Sequence, residues 1–262
     1  MLAVLLGIVI DLYDHFRCDC FSSGSLGNLS LKKAETHVIR ANLLLSAGAI
    51  AQLSSILSLD EHERAASFHF TKNRRRFIAC RGLLRSILGA YLGVAPADLR
   101  FIYGPNGKPG LDPNQHTEDI QFNLSHSEEL ALYAVALNVP IGVDVERLSS
   151  RVDLDKISRN LFSRAQLEIY TKLPQQERIN AFFRCWTRKE AFIKAIGEGL
   201  GYPLDSFDVP MGEHAQLLNV GGGAHAGEWS IHHLSPAPGF VGAVAFRGKS
   251  DAVRNFRYED VS

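Results

Sequence analysis

The 262 residues carry no surplus of either charge: 28 Lys and Arg stand against 28 Asp and Glu. That balance removes the field on which a nucleic-acid binder or a membrane-surface binder depends. Cysteine is scarce, with four residues, and the one close pair, Cys18 and Cys20, is C-x-C rather than the doubled C-x-x-C of a zinc ribbon. This usage argues against a disulfide scaffold and for a reducing, cytoplasmic compartment. The opening apolar run, Met1 to Ile10, ends at Asp11. It falls short of the roughly 18 residues that span a bilayer and lacks the basic flank of a secretory leader. The Ser- and Gly-rich Phe21 to Asn28 joins no periodic segment, so residues 1–32 read as an N-terminal extension. What is present is ordinary globular stock, 46% hydrophobic and 21% charged, enough for one large domain or two small ones.

Apolar spacing from Leu44 to Phe70 is helical, and Asp60 and Glu61 suit a helix start. The strongest helix follows, with Phe77, Leu84, Leu88 and Tyr91 on one stripe and Arg74, Arg81 and Arg85 on its neighbour. Tyr103 to Pro113 concentrates Gly and Pro and reads as a loop with Lys108 on its crest. The period then changes to two. Strands are expected at Phe122–Ser127, Leu130–Leu137 and Ile141–Glu146, a helical stretch from Asp155 to Gly197, and further strands at Trp229–His232 and Phe240–Phe246. The chain divides accordingly into an N-terminal subdomain over residues 33–139, a C-terminal subdomain over 140–250 and a tail over 251–262, two comparable halves of mixed α/β (α+β) class.

Four groups of residues bear on chemistry. In Ile141-Gly-Val-Asp-Val-Glu146, alternation sends Asp144 and Glu146 to one face, where two carboxylates converge beside the open space left by Gly142. In Trp186-Thr-Arg-Lys-Glu-Ala-Phe-Ile-Lys194, Glu190 and Lys194 are i and i+4 and Lys189 adjoins them, on a helix apolar nearly all round. Phe122-Asn-Leu-Ser-His-Ser127 ends a strand in hydroxyl and imidazole groups suited to a phosphate. The basic residues between Lys72 and Arg85 form a local patch in a neutral chain, of which one or two members suit a phosphate. Taken singly, each group also has an ordinary reading: a solvated strand face, a salt bridge, a Ser cap or helix surface charge.

Other chemistries fail on spacing. Gly104 to Lys108 is G-x-x-G-K followed by Pro109, too short for a P-loop and without its Ser/Thr. No G-x-S-x-G elbow accompanies Ser125, His126 and Asp144, and adjacent strand residues point apart, which removes a hydrolase triad.

Together, Gly142-Val-Asp144-Val-Glu146 and Trp186-Thr-Arg-Lys189-Glu190-Ala-Phe-Ile-Lys194, at the separation they have here, resemble the signature of the 4′-phosphopantetheinyl transferases. The likeness extends to the Arg74–Arg85 helix, Gly107-Lys-Pro109, the Ser125-His126 strand and Gly199–Val209. It is to the longer, Sfp-type branch, which implies a monomer with two pseudo-symmetric subdomains of that fold in one chain. The implied reaction moves the phosphopantetheine arm of coenzyme A to a serine of an apo acyl or peptidyl carrier protein and releases adenosine 3′,5′-bisphosphate. The resemblance implies Mg²⁺ on Asp144, Glu146 and Glu190, with Glu190 as base, Lys194 at the departing phosphate and Lys189 adding positive field. Ser125, His126 and Lys108, supported by Lys72 or Arg76, would hold the 3′-phosphate and adenine end of CoA, and Asp144 counts among the CoA-binding residues, with the metal neutralising the pyrophosphate. A non-catalytic CoA or carrier-binding module and a Mg²⁺-dependent CoA pyrophosphate hydrolase are the competing expectations. Two positions depart from the family pattern: Glu61, where a basic residue is frequent, and Gln166, where Glu is usual. The first bears on the phosphate contacts and the second on carrier docking.

Overall fold

Leu130–Leu137 is apolar at every position, and an extended segment of that composition needs cover on both faces. The computed structural model, which describes residues 19–21, 31–115, 119–150, 153–212, 216–220, 227–249 and 252–258, supplies that cover in four layers. This segment, β6, pairs antiparallel with β2 (Glu35–Asn42) and β5 (Ile120–Ser127) in a five-stranded sheet that also holds β1 (Asp19–Phe21) and β11 (Ala252–Tyr258), in the order β1-β11-β2-β6-β5. One face of that sheet packs on α3 (Thr71–Leu92) through Ile39, Tyr133 and Val135 against Leu83, Leu84, Ile87 and Leu88. Its other face, with Val38, Leu132 and Ala134, meets Ile141, Val143, Val145 and Val244 of a second, antiparallel sheet. That sheet runs β7-β10-β9-β8: β7 is Ile141–Arg147, β8 Gln216–Val220, β9 Gly227–Leu234 and β10 Phe240–Arg247. Its outer face carries α6 (Gln175–Ile196), through Phe192, Ile193 and Ala195 on Trp229, Ile231 and Ala243.

The shorter helices are set by their caps. Ser46 accepts from the Ala49 N–H to start α1 (Ala47–Ser55), and Asp153 does the same from Lys156 for α4 (Leu154–Leu161). Capping boxes begin α2 (Leu59–Ala66), with Ser58 and Glu61, and α5 (Arg164–Lys172), with Ser163 and Gln166. Gln166 is buried, and its amide donates to the Val209 carbonyl at 2.6 Å, so this departure from the family pattern is taken up inside the subdomain and offers no docking surface.

Three expectations are corrected here. The Gly- and Pro-rich loop is a small hairpin of β3 (Phe101–Tyr103) and β4 (Pro109–Leu111), with Pro109 tolerated as the first residue of its strand. Of the residues read as a tail, Ala252–Tyr258 form β11, which inserts parallel between β2 and β1 (Asp19–Phe21), so the chain's end completes the first sheet. Third, the space beside Gly142 is filled: a Cβ there would lie 2.0 Å from the Ala191 carbonyl oxygen and 2.4 Å from the Ala195 nitrogen. The glycine lets the backbone of α6 ride directly on β7. Most of the proposed N-terminal extension lies outside the described residues. Among the described residues no helix is long and apolar enough to cross a membrane.

Candidate active site

The edge strands β5 and β7, one from each sheet, run side by side and are joined by side chains. Asn123 Oδ1 accepts from the Val143 N–H at 2.9 Å, Ser125 Oγ donates to Asp144 Oδ1 at 2.8 Å, and Ser127 Oγ donates to Glu146 Oε2 at 2.8 Å while accepting from the Arg147 N–H. Strand alternation produces this row, because residues 123, 125 and 127 share one face. A cleft of about 380 Å³ opens beside the seam, lined by Leu124, Ser125, His126, Asp144, Glu146, Trp186, Glu190 and Lys194. Six of the eight were singled out from sequence.

α6 closes the cleft. Its Lys194 Nζ lies 2.6 Å from Asp144 Oδ1 and 2.9 Å from Ser125 Oγ, which makes one hydrogen-bonded group from three separate elements. One turn earlier, Glu190 is 6% exposed, and Trp186 lines the cleft with Glu146. Two carboxylate oxygens, Asp144 Oδ2 and Glu190 Oε1, are buried without a hydrogen-bond partner. Buried oxygens of this kind are costly, so their persistence marks a site that something else completes. Burial and the nearby Asp144 raise the pKa values of both Glu146 and Glu190, with Lys194 opposing. His126 is held below the ordinary imidazole value by desolvation and by the cations Arg76 and Lys194.

The other basic residues named from sequence sit elsewhere. Lys189 is fully buried, and its ammonium donates to the Leu204 and Phe207 carbonyls and lies over the Phe207 ring, outside the cleft. A residue one step before Glu190 is turned about 100° around the helix, which takes Lys189 away from the carboxylates. Lys108 does not reach the cleft either; its ammonium is bonded to three backbone carbonyls at the end of α6 and the start of β7. Arg76 and Lys72 stay at the rim, where Glu128 holds them at 2.6 and 3.8 Å. Arg81 and Arg85 are not part of a phosphate patch. They close on Glu61 at 3.0 and 2.6 Å inside the first subdomain, so the acidic residue at that position has a structural partner set of its own. Ser127, which fixes Glu146, and Trp186, which lines the cleft, received no role from sequence; the alternation that placed Ser125 would also have found Ser127.

Comparison with known proteins identifies the family. The family model of the 4′-phosphopantetheinyl transferase superfamily matches residues 140–245, and that of the 4′-phosphopantetheinyl transferase N-terminal region matches residues 46–138. The 4′-phosphopantetheinyl transferase HetI of Nostoc sp. is 40% identical over 223 residues, 84% of this chain and 91% of that protein. The chain belongs to the 4′-phosphopantetheinyl transferase superfamily. The transferase gsp of Aneurinibacillus migulanus is 33% identical over 59% of this chain and 62% of its own length, and Sfp of Bacillus subtilis is 29% identical over 62% and 70%. The two family models of this phosphopantetheinyl transferase meet between β6 and β7, where the chain passes from the first sheet to the second. The cleft lies along that junction.

Proposed function

We propose that this enzyme transfers the 4′-phosphopantetheine arm of coenzyme A to a serine hydroxyl of an apo acyl or peptidyl carrier protein, with Mg²⁺, and releases adenosine 3′,5′-bisphosphate. The observation that carries the reading is that Asp144 and Glu190, each with a buried oxygen that has no hydrogen-bond partner, line one cleft with Lys194, Ser125 and His126. Among the described residues, no three carboxylates, imidazoles or thiols are already gathered as a metal site. The donor set nevertheless suits a hard cation: three carboxylates line the cleft and two of them have an unused oxygen. Asp144, Glu146 and Glu190 would hold it, and when bound it would polarise the phosphoryl group and offset the charge of the pyrophosphate.

The chain's own residues account for the rest. Glu190, with its raised pKa, takes the proton of the serine hydroxyl as that oxygen bonds to the β-phosphorus of CoA. The bond from that phosphorus to the bridging oxygen breaks, and Lys194 donates to the phosphate that departs with the adenosine. Ser125 and His126 hold phosphate oxygens, with Arg76 and Lys72 at the rim. Lys189 and Lys108, engaged with carbonyls, have no direct part. Ser125 and His126 come from one half of the chain and the carboxylates from the other, which supports action as a monomer.

Intact mass of an apo carrier protein after incubation with the enzyme, CoA and Mg²⁺ tests this directly. The expected result is a gain of one phosphopantetheine, formation of adenosine 3′,5′-bisphosphate in equal amount, and loss of both with EDTA. Free phosphopantetheine without carrier modification would instead make the protein a hydrolase, and CoA binding with no turnover would make it a binding module.

A further inference from the structure

Lys108 is the one cation that the resemblance assigns to CoA and the structure spends on protein carbonyls. Its ammonium donates to Ile141 O at 3.0 Å, Lys194 O at 2.6 Å and Ala195 O at 3.1 Å. An ammonium has three donors, so none is left for a ligand. Two of the acceptors belong to the last turn of α6, whose final carbonyls have no intrahelical partner and stand at the negative end of the helix dipole. The third is the first residue of β7. Asn106, from the same hairpin turn, donates Nδ2 to the Gly197 carbonyl at 2.9 Å, and its side chain approaches Gly199, where a Cβ would lie 3.3 Å away.

We propose that Lys108 is a positioning residue, and that its ammonium pins the C-terminal turn of α6 to the start of β7 and so fixes the register that sets Lys194 on Asp144 and Ser125. The geometry of the contact surface makes that register sensitive. α6 touches β7 backbone to backbone at Gly142, with no side chain between to key the helix along the strand. Ile141, which Lys108 grips, is the residue before Gly142, and the Asp144 carboxylate that Lys194 must meet is two residues beyond it. On the helix, the gripped carbonyl is that of Lys194 itself. A shift of the last turn by a fraction of an ångström therefore moves the Lys194 ammonium relative to Asp144 directly. The grip comes from the first subdomain, so the hairpin aligns a catalytic helix of the second.

The catalytic consequence rests on the transfer reaction proposed above. The experiment compares wild type, Lys108→Met and Asn106→Ala for transfer rate at saturating CoA and carrier, for CoA affinity by calorimetry at two salt concentrations, and for melting temperature. Wild type that binds CoA without transfer would sink the functional reading; the grip is then read from melting temperature, which both substitutions lower if the contact holds the turn and leave unchanged if it does not. With wild type active, Lys108→Met is expected to lower kcat roughly ten- to a hundredfold, as ångström-scale misplacement does. CoA affinity and its salt dependence should stay within about twofold, since no phosphate contact is lost. Asn106→Ala, which removes no charge, should lower kcat by a smaller factor in the same direction, and it carries the test if Lys108→Met does not fold. A weakened, less salt-dependent CoA affinity with unchanged kcat would make Lys108 a ligand contact and overturn the proposal. So would a lowered melting temperature with kcat and affinity both unchanged, which would leave the contact purely structural.

Discussion

α3 and α6 are helices of equal length, 22 residues each, both end at a left-handed glycine, Gly93 and Gly197, and both lie on the outer face of a sheet. Both also bury charge, and they differ in how it is met. On α3, Arg81 and Arg85 close on Glu61, and Arg85 gains the Pro96 and Leu99 carbonyls as well. Across α6 and its strand, Asp144 and Glu190 each keep an oxygen with no partner. Each oxygen of Glu61 has a guanidinium within 3.0 Å, and that pairing holds a subdomain together. Asp144 is paired with Lys194 through one oxygen alone, so at the cleft one oxygen of Asp144 and one of Glu190 are left for something outside the chain. The segment Trp186 to Lys194 that carried the resemblance lies on the second helix.

The largest expected effect breaks the unpaired side. Glu190→Gln should lower carrier modification by about 10²- to 10⁴-fold, as loss of a general base does, with a normal circular dichroism spectrum. A rate within tenfold of wild type would remove Glu190 from the role of base. The paired side should respond in the opposite sense. Glu61→Gln leaves two buried guanidinium groups facing a neutral amide and should cost about 3–5 kcal/mol in denaturant titration, while transfer by the folded protein at saturating substrate changes less than about twofold. In the absence of divalent cations, Glu190→Gln should leave stability unchanged or raise it. The sign follows from the raised pKa of Glu190: its contribution to stability is full at acid pH, below the ordinary carboxylate value, and is lost as pH rises through the raised value. If both substitutions destabilised equally, the contrast between the helices would fail.

A smaller effect concerns His126. Its pKa is lowered in the unliganded protein, and a phosphate beside it favours the imidazolium, so CoA binding takes up a proton. Affinity should therefore fall as pH rises through the pKa of the bound state and level off below that of the unliganded protein. His126→Asn should flatten calorimetric affinity across that range, and a flat wild-type profile would contradict the assignment. Smallest is Glu128, which occupies a left-handed turn position and holds the two rim cations. An exposed ion pair is worth at most about 1 kcal/mol, so Glu128→Gln should raise CoA affinity roughly two- to fivefold at low salt and not at high salt. Unchanged affinity at low salt would show that Glu128 does not compete for Arg76.

Most of the site was legible in the sequence because strand alternation and helix spacing translate directly into shared faces: Asp144 with Glu146, and Glu190 with Lys194. What was not legible depends on contacts between distant segments. β2 escaped notice because its buried Glu35, Thr36 and His37 break the apolar pattern, and β11 because its partner strand lies at the other end of the chain. The close approach at Gly142 reversed the meaning of a glycine first read as open space. Lys108, Lys189, Arg81 and Arg85 are all cations by sequence, but only the fold shows which acceptors already hold them. Gln166 is similar: its amide donates inward to Val209, a bond an ionised carboxylate could not make.

The central claim is that the unpaired oxygens of Asp144 and Glu190 await a cation. Titration calorimetry of Mg²⁺ into the CoA-saturated wild type, Asp144→Asn and Glu190→Gln tests it most directly. One Mg²⁺ bound by wild type, with affinity reduced at least tenfold in both variants, is the result expected from the geometry. Equal Mg²⁺ binding by all three proteins, or none by wild type, would contradict it.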